Sequence, residues 1–325
     1  MINKIFKIRV KNFFGKEYKQ FNVFGFKMKS ISYKELYKIA YANLESKAKQ
    51  LEYLKEHSDI TKLKPATGEL RKQQLDLVDF ANEFLKSVEK LNIKPFLVAG
   101  NLIGALRHKG FIPWDDDLDF GLMRGDFNKL KNHFKENNLP ILNLKADIRK
   151  YSYKVEVEAI QEYLKLYPNQ YILMPLPWLC KVVKGTNLDD VIFLDFFPFD
   201  YYDESYTFEE FREEHKKNSK EFKKIKAVNK VVEFLENKVS NHKNIVKESN
   251  TIFYGFDCSM ARFDYQKKLM SKEIIFPLQK IAYENCEFYI PNKAQEYLKF
   301  EFSGYWMDYP DDLGVSKHNL HYRRS

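Results

Sequence analysis

Apolar residues recur at helical spacing over residues 33–57, with Leu36, Ile39, Ala40 and Leu44, and over residues 68–91, with Leu75, Val78, Phe80, Phe84, Leu85 and Val88. Two helices are predicted there, joined by KLKPATG, in which Pro65 and Gly68 break the pattern. The period then changes. PFLVAG is a short apolar run bounded by Pro95 and Gly100, as for a buried strand ending in a turn, and NLIGALRHKG returns to helical spacing with Asn101 as its N-cap and Gly110 as its stop. DLDF resumes alternation, and a further helix is predicted from Asp126. Downstream, WLCKVV and VIFLDFFPF are strand candidates linked by the turn-rich KGTNLDD. Lysine- and glutamate-rich helices are expected within 207–249, and KIAYENCEFYIPNKAQEYLKF has the pattern of two short strands and a helix. The sum is an α+β body: a mixed β-sheet core with flanking and accessory helices.

Polar residues interrupt these patterns most sharply at FIPWDDDLDF, where Asp115, Asp116, Asp117 and Asp119 fall within five positions. Such crowding costs stability unless cations, hydrogen-bond donors or open water compensate it. An acidic turn facing solvent is one solution. A cation site is the other: on a strand, positions i and i+2 share a face, so Asp117 and Asp119 would point together while Leu118 and Phe120 enter the core. Paired carboxylates with one apolar residue between them suit Mg²⁺ or Mn²⁺, which bind a few carboxylates together with water and phosphate oxygens.

The neighbours favour the second solution. The turn at Gly100 and Asn101 opens a helix whose N-terminal N–H groups can receive an anion, and Arg107, His108 and Lys109 follow at its other end. Arg107 suits bidentate phosphate binding and Lys181 a point charge on a diphosphate, with a surface ion pair as the alternative for each. His108 could donate to phosphate or interact with the helix dipole. Trp114 could cover a base or a quaternary ammonium, or anchor its loop in the core. Asp195, in FLDFFPF, supplies a third carboxylate on a second apolar strand, where an ionised group is expensive unless paired, metal-bound or exposed at the strand end.

Composition and charge add limits. With 325 residues, 44% of them apolar, the chain can bury a large core. Cys180, Cys258 and Cys286 lack metal-ligand spacing, which argues against structural zinc and a disulfide framework and for a reducing compartment. No apolar run is long enough to span a bilayer and no signal-peptide core is evident, so a cytoplasmic location is expected. Residues 1–30 hold eight Lys/Arg against Glu17 alone, which leaves only +2 of the net +9 for the rest. Aromatic and aliphatic residues alternate with those cations, so this segment is expected either to lie peripherally on an anionic membrane, at the inner face of the cytoplasmic membrane, or to form a basic hairpin or solvated arm. Nucleic acid is not an expected partner, because no nucleic-acid-binding motif accompanies the charge.

The stretch FLVAGNLIGALRHKGFIPWDDDLDFGLMRGDFNKL, residues 96–130, resembles the core motif of the LicD family of phosphocholine transferases and their fukutin-type relatives. The resemblance continues through WLCKVVKGTNLDDVIFLDFFPFD, with Lys181, Thr186 and Asp195 at matching places, and through FPLQKIAYENCEFYIPNKAQEYLKFEFSGYWMDYP. It implies a nucleotidyltransferase-like fold, with Asp117 and Asp119 as the metal pair and Asp195 as the third acidic residue. Gly100, Asn101, Arg107, His108, Lys181 and Trp114 would border the donor. Asn101 departs from the small hydroxyl residue usual in the family after this glycine. The implied organisation is a basic aromatic segment over 1–30, a helical lead-in over 31–69 and a catalytic domain over 70–325. The implied reaction is transfer of phosphocholine from CDP-choline to a hydroxyl of a cell-surface glycan with release of CMP. Transfer of ribitol phosphate or glycerol phosphate, true nucleotidyl transfer from an NTP, and a non-catalytic basic binding protein are the alternatives.

Overall fold

A computed structural model describes residues 6–13, 16–23, 26–27, 31–258, 268–302 and 305–309. The chain divides into two compact units, residues 1–60 and 61–325. In the first, β1 (Phe6–Phe13) and β2 (Lys16–Val23) pair antiparallel over their whole length, from Phe6 opposite Val23 to Phe13 opposite Lys16. Short strands β3 (Phe26–Lys27) and β4 (Ile31–Ser32) also pair with β2, and α1 (Tyr33–His57) follows. The basic segment proposed for a membrane surface thus contains a hairpin, while its residues 1–5, 14–15, 24–25 and 28–30 lie outside the described residues. Among the described residues no helix is long and apolar enough to cross a membrane.

The second unit is a mixed sheet with helices around it, as the α+β pattern predicts. It opens with α2 (Gly68–Ser87), followed by β5 (Phe96–Leu97), α3 (Ala99–His108), β6 (Asp119–Met123) and α4 (Arg124–Glu136). Next come α5 (Tyr153–Leu166), β7 (Ile172–Pro175), β8 (Cys180–Lys184) and the long β9 (Ile192–Tyr202). Helices α6 (Phe208–Phe222) and α7 (Val228–Ser240) precede β10 (Ile245–Val246), β11 (Thr251–Tyr254) and β12 (Met270–Ser271). The unit ends with α8 (Lys272–Ile275), the hairpin β13 (Gln279–Tyr283) and β14 (Cys286–Ile290), and α9 (Ala294–Phe302).

The central strand order is β12-β11-β9-β6-β5-β14-β13, with β8 and β10 also paired to β9 and β7 paired to β8. The apolar run of β9 explains its place: Phe193, Leu194, Phe196, Phe197 and Phe199 are all buried, so this strand is covered on both faces. Strand β6 runs parallel to it and sets Asp119 opposite Asp195. Strand β8 runs antiparallel on β9 and sets Lys181 opposite the same Asp195. One row across three strands therefore carries Asp119, Asp195 and Lys181.

Aromatic rings fill the space beneath this row. Phe120 stacks on Phe196 at 5.6 Å between centroids, and Phe96 lies 5.2 Å from Phe199. Gly121 makes room for the latter pair, since a Cβ there would stand 2.6 Å from the Phe96 ring and 2.8 Å from that of Phe199. Gly121→Ala is accordingly expected to cost about 1–3 kcal/mol by overpacking, read as a lower urea midpoint with an unchanged slope. An unaltered midpoint would mean that the rings move aside freely.

Candidate active site

The acidic loop sits between the start of α3, the edge of α2 and the head of β6. It is held by its backbone: Gln73 donates to the carbonyl of Asp116 at 2.9 Å, and Gln74 to those of Asp115 at 2.8 Å and Ile112 at 3.3 Å. Both glutamines are buried, on the face of α2 that also buries Leu77, Val78 and Phe84, whereas Leu75, expected by its spacing to belong to the apolar stripe, is 37% exposed. Glu284, in the β13–β14 turn, receives a two-pronged bond from Arg71 at 2.8 and 2.6 Å and accepts the Phe111 N–H at 3.0 Å. The Arg71 contact holds the Glu284 carboxylate below its usual range despite the burial that works against it. Loop and turn are thus clamped from two distant parts of the chain.

Asn101 occupies the centre of this clamp. The expectation that it caps α3 is corrected: the helix begins at Ala99 with Val98 as its N-cap, and Asn101 is a fully buried residue inside the first turn. Its Nδ2 donates to the Asp117 carbonyl at 3.0 Å and to the Tyr283 hydroxyl at 3.3 Å, while its Oδ1 accepts the Asp119 N–H at 2.7 Å. Both amide hydrogens are used within the protein, so Asn101 fixes the spacing of the aspartates rather than offering donors to an anion.

Asp117 precedes β6 and Asp119 begins it, so the two do not share one strand as the alternation predicted, although Leu118 and Phe120 are fully buried as expected. Their carboxyl groups are nevertheless neighbours. Burial, and after it the charges of Asp117, Asp195 and Asp115, hold the Asp119 carboxyl well above the usual carboxylate range. Burial also pushes up Asp115, helped by Asp117. Asp195 is pushed up to about 6 by burial, with Lys181 opposing. The Asp115 Oδ2 would lie 2.8 Å from a Cβ at position 100, so Gly100 is what lets this carboxyl group approach the start of α3. That turn also carries Ala99 at φ +50°, a left-handed conformation a non-glycine residue adopts only under constraint.

A divalent cation fits these groups. Oxygens of Asp115, Asp116 and Asp117 lie within 4.8 Å of one another. Asp115 Oδ2 and Asp195 Oδ1 are buried without a hydrogen-bond partner, and three carboxyl groups are pushed up by burial and then by neighbouring carboxyl groups, two costs that a cation would offset. Hard carboxylate oxygens with no sulfur or imidazole among them match Mg²⁺ or Mn²⁺.

Lys181 lies at the row, its Nζ 3.0 Å from Asp195 Oδ2, 3.8 Å from Glu156 Oε1 and 4.0 Å from the centre of the Phe193 ring. Burial works against its charge, but Asp195 and Glu156 prevail and raise its pKa. Glu156, on α5, gave no local signal, because its meaning depends on a partner 25 positions away.

Arg107 and His108 are placed differently from the expected phosphate donors. Arg107 is 8% exposed, donates from Nη1 to the Trp306 carbonyl at 2.8 Å and from Nε to His108 Nε2 at 2.9 Å, and burial lowers its pKa to about 10. Burial, with Arg107 adding, takes His108 down to about 4, so this imidazole is a neutral acceptor at pH 7 and no partner for the helix dipole. Trp114 is half-buried and packs on the core. Thr186 lies in the β8–β9 connection, where its hydroxyl donates to Asp190 at 2.6 Å.

Residues 92–171 match the family model described as LicD/FKTN/FKRP, nucleotidyltransferase domain. The chain is 45% identical over 60 residues to the lipopolysaccharide cholinephosphotransferase LicD of Haemophilus influenzae, covering 18% of this chain and 23% of that protein. It is 40% identical over 68 residues to an uncharacterized protein of Rickettsia typhi, 20% of this chain and 22% of that protein. A further match is 44% identity over 55 residues with one of Rickettsia prowazekii, 17% and 21%. The matched regions therefore span less than a quarter of the curated relatives. Over residues 92–171, which carry Asn101, the acidic loop, Asp119 and Glu156, the chain matches the LicD family, as the motif around the aspartates implies.

Proposed function

We propose that this protein transfers a phospho-alcohol group, phosphocholine foremost, from a CDP-activated donor to a hydroxyl of a cell-surface glycan, with CMP as leaving group. The observation that carries the reading is the row Asp119–Asp195–Lys181 with Asp115 and Asp117 beside it; Asp115, Asp117 and Asp119 lie within residues 92–171, which match the LicD nucleotidyltransferase model, and the chain is similar over 60 residues to a lipopolysaccharide cholinephosphotransferase. Asp117, Asp119 and Asp195 would hold Mg²⁺ or Mn²⁺, with Asp115 close enough to share the task. When bound, the ion would neutralise charge on the diphosphate and on the leaving CMP. Lys181, kept charged by its two carboxylate partners, would bring a fixed cation to the same diphosphate. Asp195, with one oxygen on Lys181 and the other without a partner, would orient or deprotonate the acceptor hydroxyl. Asn101, Gln73, Gln74 and Glu284 keep the loop in register. The basic segment over residues 1–30 would bring the site to an anionic membrane that presents the acceptor.

Product analysis tests the reaction class. CMP appearing with a phosphorylated acceptor supports phospho-alcohol transfer, whereas pyrophosphate released from an NTP would reassign the protein to nucleotidyl transfer.

A pH dependence follows from Asp195. Its folded pKa of about 6 stands above the ordinary carboxylate value, so below pH 6 a proton competes with the cation and above it the carboxylate is free. Mg²⁺ affinity of the full chain, measured by calorimetry at pH 5 and pH 7.5, should be weaker at pH 5, with proton release on binding. Equal affinities and no proton release would exclude Asp195 from the ion site.

A further inference from the structure

We infer that Tyr151 and Trp178, backed by Glu156, form the head-group end of the donor site and select a quaternary ammonium over an uncharged polyol. The inference rests on the CDP-alcohol reading above and deepens it.

The two rings meet nearly at right angles, with centroids 5.4 Å apart and an interplanar angle of 78°. Both are half-buried rather than sealed in the core. Trp178 sits in the connection between β7 and β8, three residues before Lys181, and Tyr151 just before α5. The Tyr151 hydroxyl donates to Glu156 Oε2, whose partner oxygen Oε1 is 3.8 Å from Lys181 Nζ, itself 3.0 Å from Asp195. Three successive contacts therefore lead from the aromatic corner to the row where the diphosphate would sit.

The chemistry of the corner favours one class of head group. A trimethylammonium has no N–H to donate; it is recognised by ring faces and by negative charge at a short distance. Here two ring faces form the corner and a carboxylate that is 6% exposed stands behind it. Among the described residues, the cation–π contacts of Lys181 and Lys184 are made to Phe193 and Tyr171, and no cation–π contact places a Lys or Arg on Tyr151 or Trp178. Glycerol or ribitol would instead need several donors and acceptors, and the two rings offer only the indole N–H and the acceptor side of a hydroxyl whose proton is given to Glu156.

The test is calorimetric binding of CDP-choline and CDP-glycerol to the full chain in the presence of Mg²⁺, before and after Trp178→Leu. The two ligands share the nucleotide diphosphate, so CDP-glycerol controls for folding and for the diphosphate site. The parent should prefer CDP-choline by about 2- to 30-fold, the range of one cation–π contact, and Trp178→Leu should remove that preference while leaving CDP-glycerol within about 2-fold. Equal affinity of the parent for both donors, or an equal loss for both in the variant, would overturn the aromatic selection and leave the CDP-alcohol reading standing. Failure of the parent to bind either donor would overturn both.

Discussion

Asp119→Asn is expected to lower turnover by at least about 100- to 1,000-fold, the scale of losing one preorganised electrostatic group at the reacting centre, without weakening the fold. The position is fixed on two sides: Asn101 accepts the Asp119 N–H, and the register of β6 on β9 sets the residue opposite Asp195. An Asn side chain keeps size and shape but presents a neutral amide where a cation needs an anionic oxygen. For the metal-free protein the sign of the stability change is the reverse. The Asp119 carboxyl is held well above its ordinary pKa, so this group favours the folded state below the unfolded carboxylate pKa and loses that contribution as pH rises through the folded value. Removing the charge should therefore leave stability at pH 7 unchanged or raised. Turnover and urea unfolding on one preparation decide the matter. Near-normal turnover would remove Asp119 from the site, and a marked loss of stability would show that the carboxylate is structural.

The largest stability effect is expected at Arg124, the first residue of α4. Its guanidinium is bound in forked fashion by Asp200 at 2.8 and 2.8 Å and by Asp257 at 3.0 and 2.6 Å, which joins the end of β6 to β9 and to the turn after β11. The Asp200 side chain is fully buried. Arg124→Met would leave two carboxylates facing each other with no cation between them, a change worth about 3–5 kcal/mol. Much of that cost is the uncompensated charge, so adding Asp200→Asn should recover part of it. Urea unfolding of the single and double variants measures both effects. A single variant within about 1 kcal/mol of the parent would mean that water reaches these carboxylates.

What the sequence made legible was local. Helix α1 follows the apolar spacing of residues 33–57, and the alternation at Leu118 and Phe120 correctly names the side of the loop that enters the core. The run FLDFFPF gives a strand buried on both faces, and its lone aspartate stands out for that reason. The apolar pattern predicts no element between 139 and 175, where α5 carries the Glu156 that reaches Lys181. The rest of the site depends on contacts that leave no period. Arg71 and Glu284 are 213 positions apart, and Gln73 and Gln74, polar positions outside the apolar stripe of α2, are both buried on the acidic loop. Arg107 has the chemistry of a phosphate ligand, yet it is turned toward the Trp306 carbonyl, 199 positions away. Residue type and spacing identify which groups can do the chemistry; the tertiary fold decides which of them reach the site.

The proposed site, formed by Asp117, Asp119 and Asp195, should bind a CDP-alcohol only with a divalent cation. Thermal unfolding of the full chain with Mg²⁺ and CDP-choline, each alone and together, tests it most directly, with CTP and ATP as controls. A ligand at 100 times its dissociation constant stabilises by about 2.7 kcal/mol, a readily measured rise in melting temperature. A rise with CDP-choline that needs Mg²⁺ and disappears in Asp119→Asn is expected. A rise confined to the triphosphates, or one with CDP-choline that ignores Mg²⁺, would contradict it.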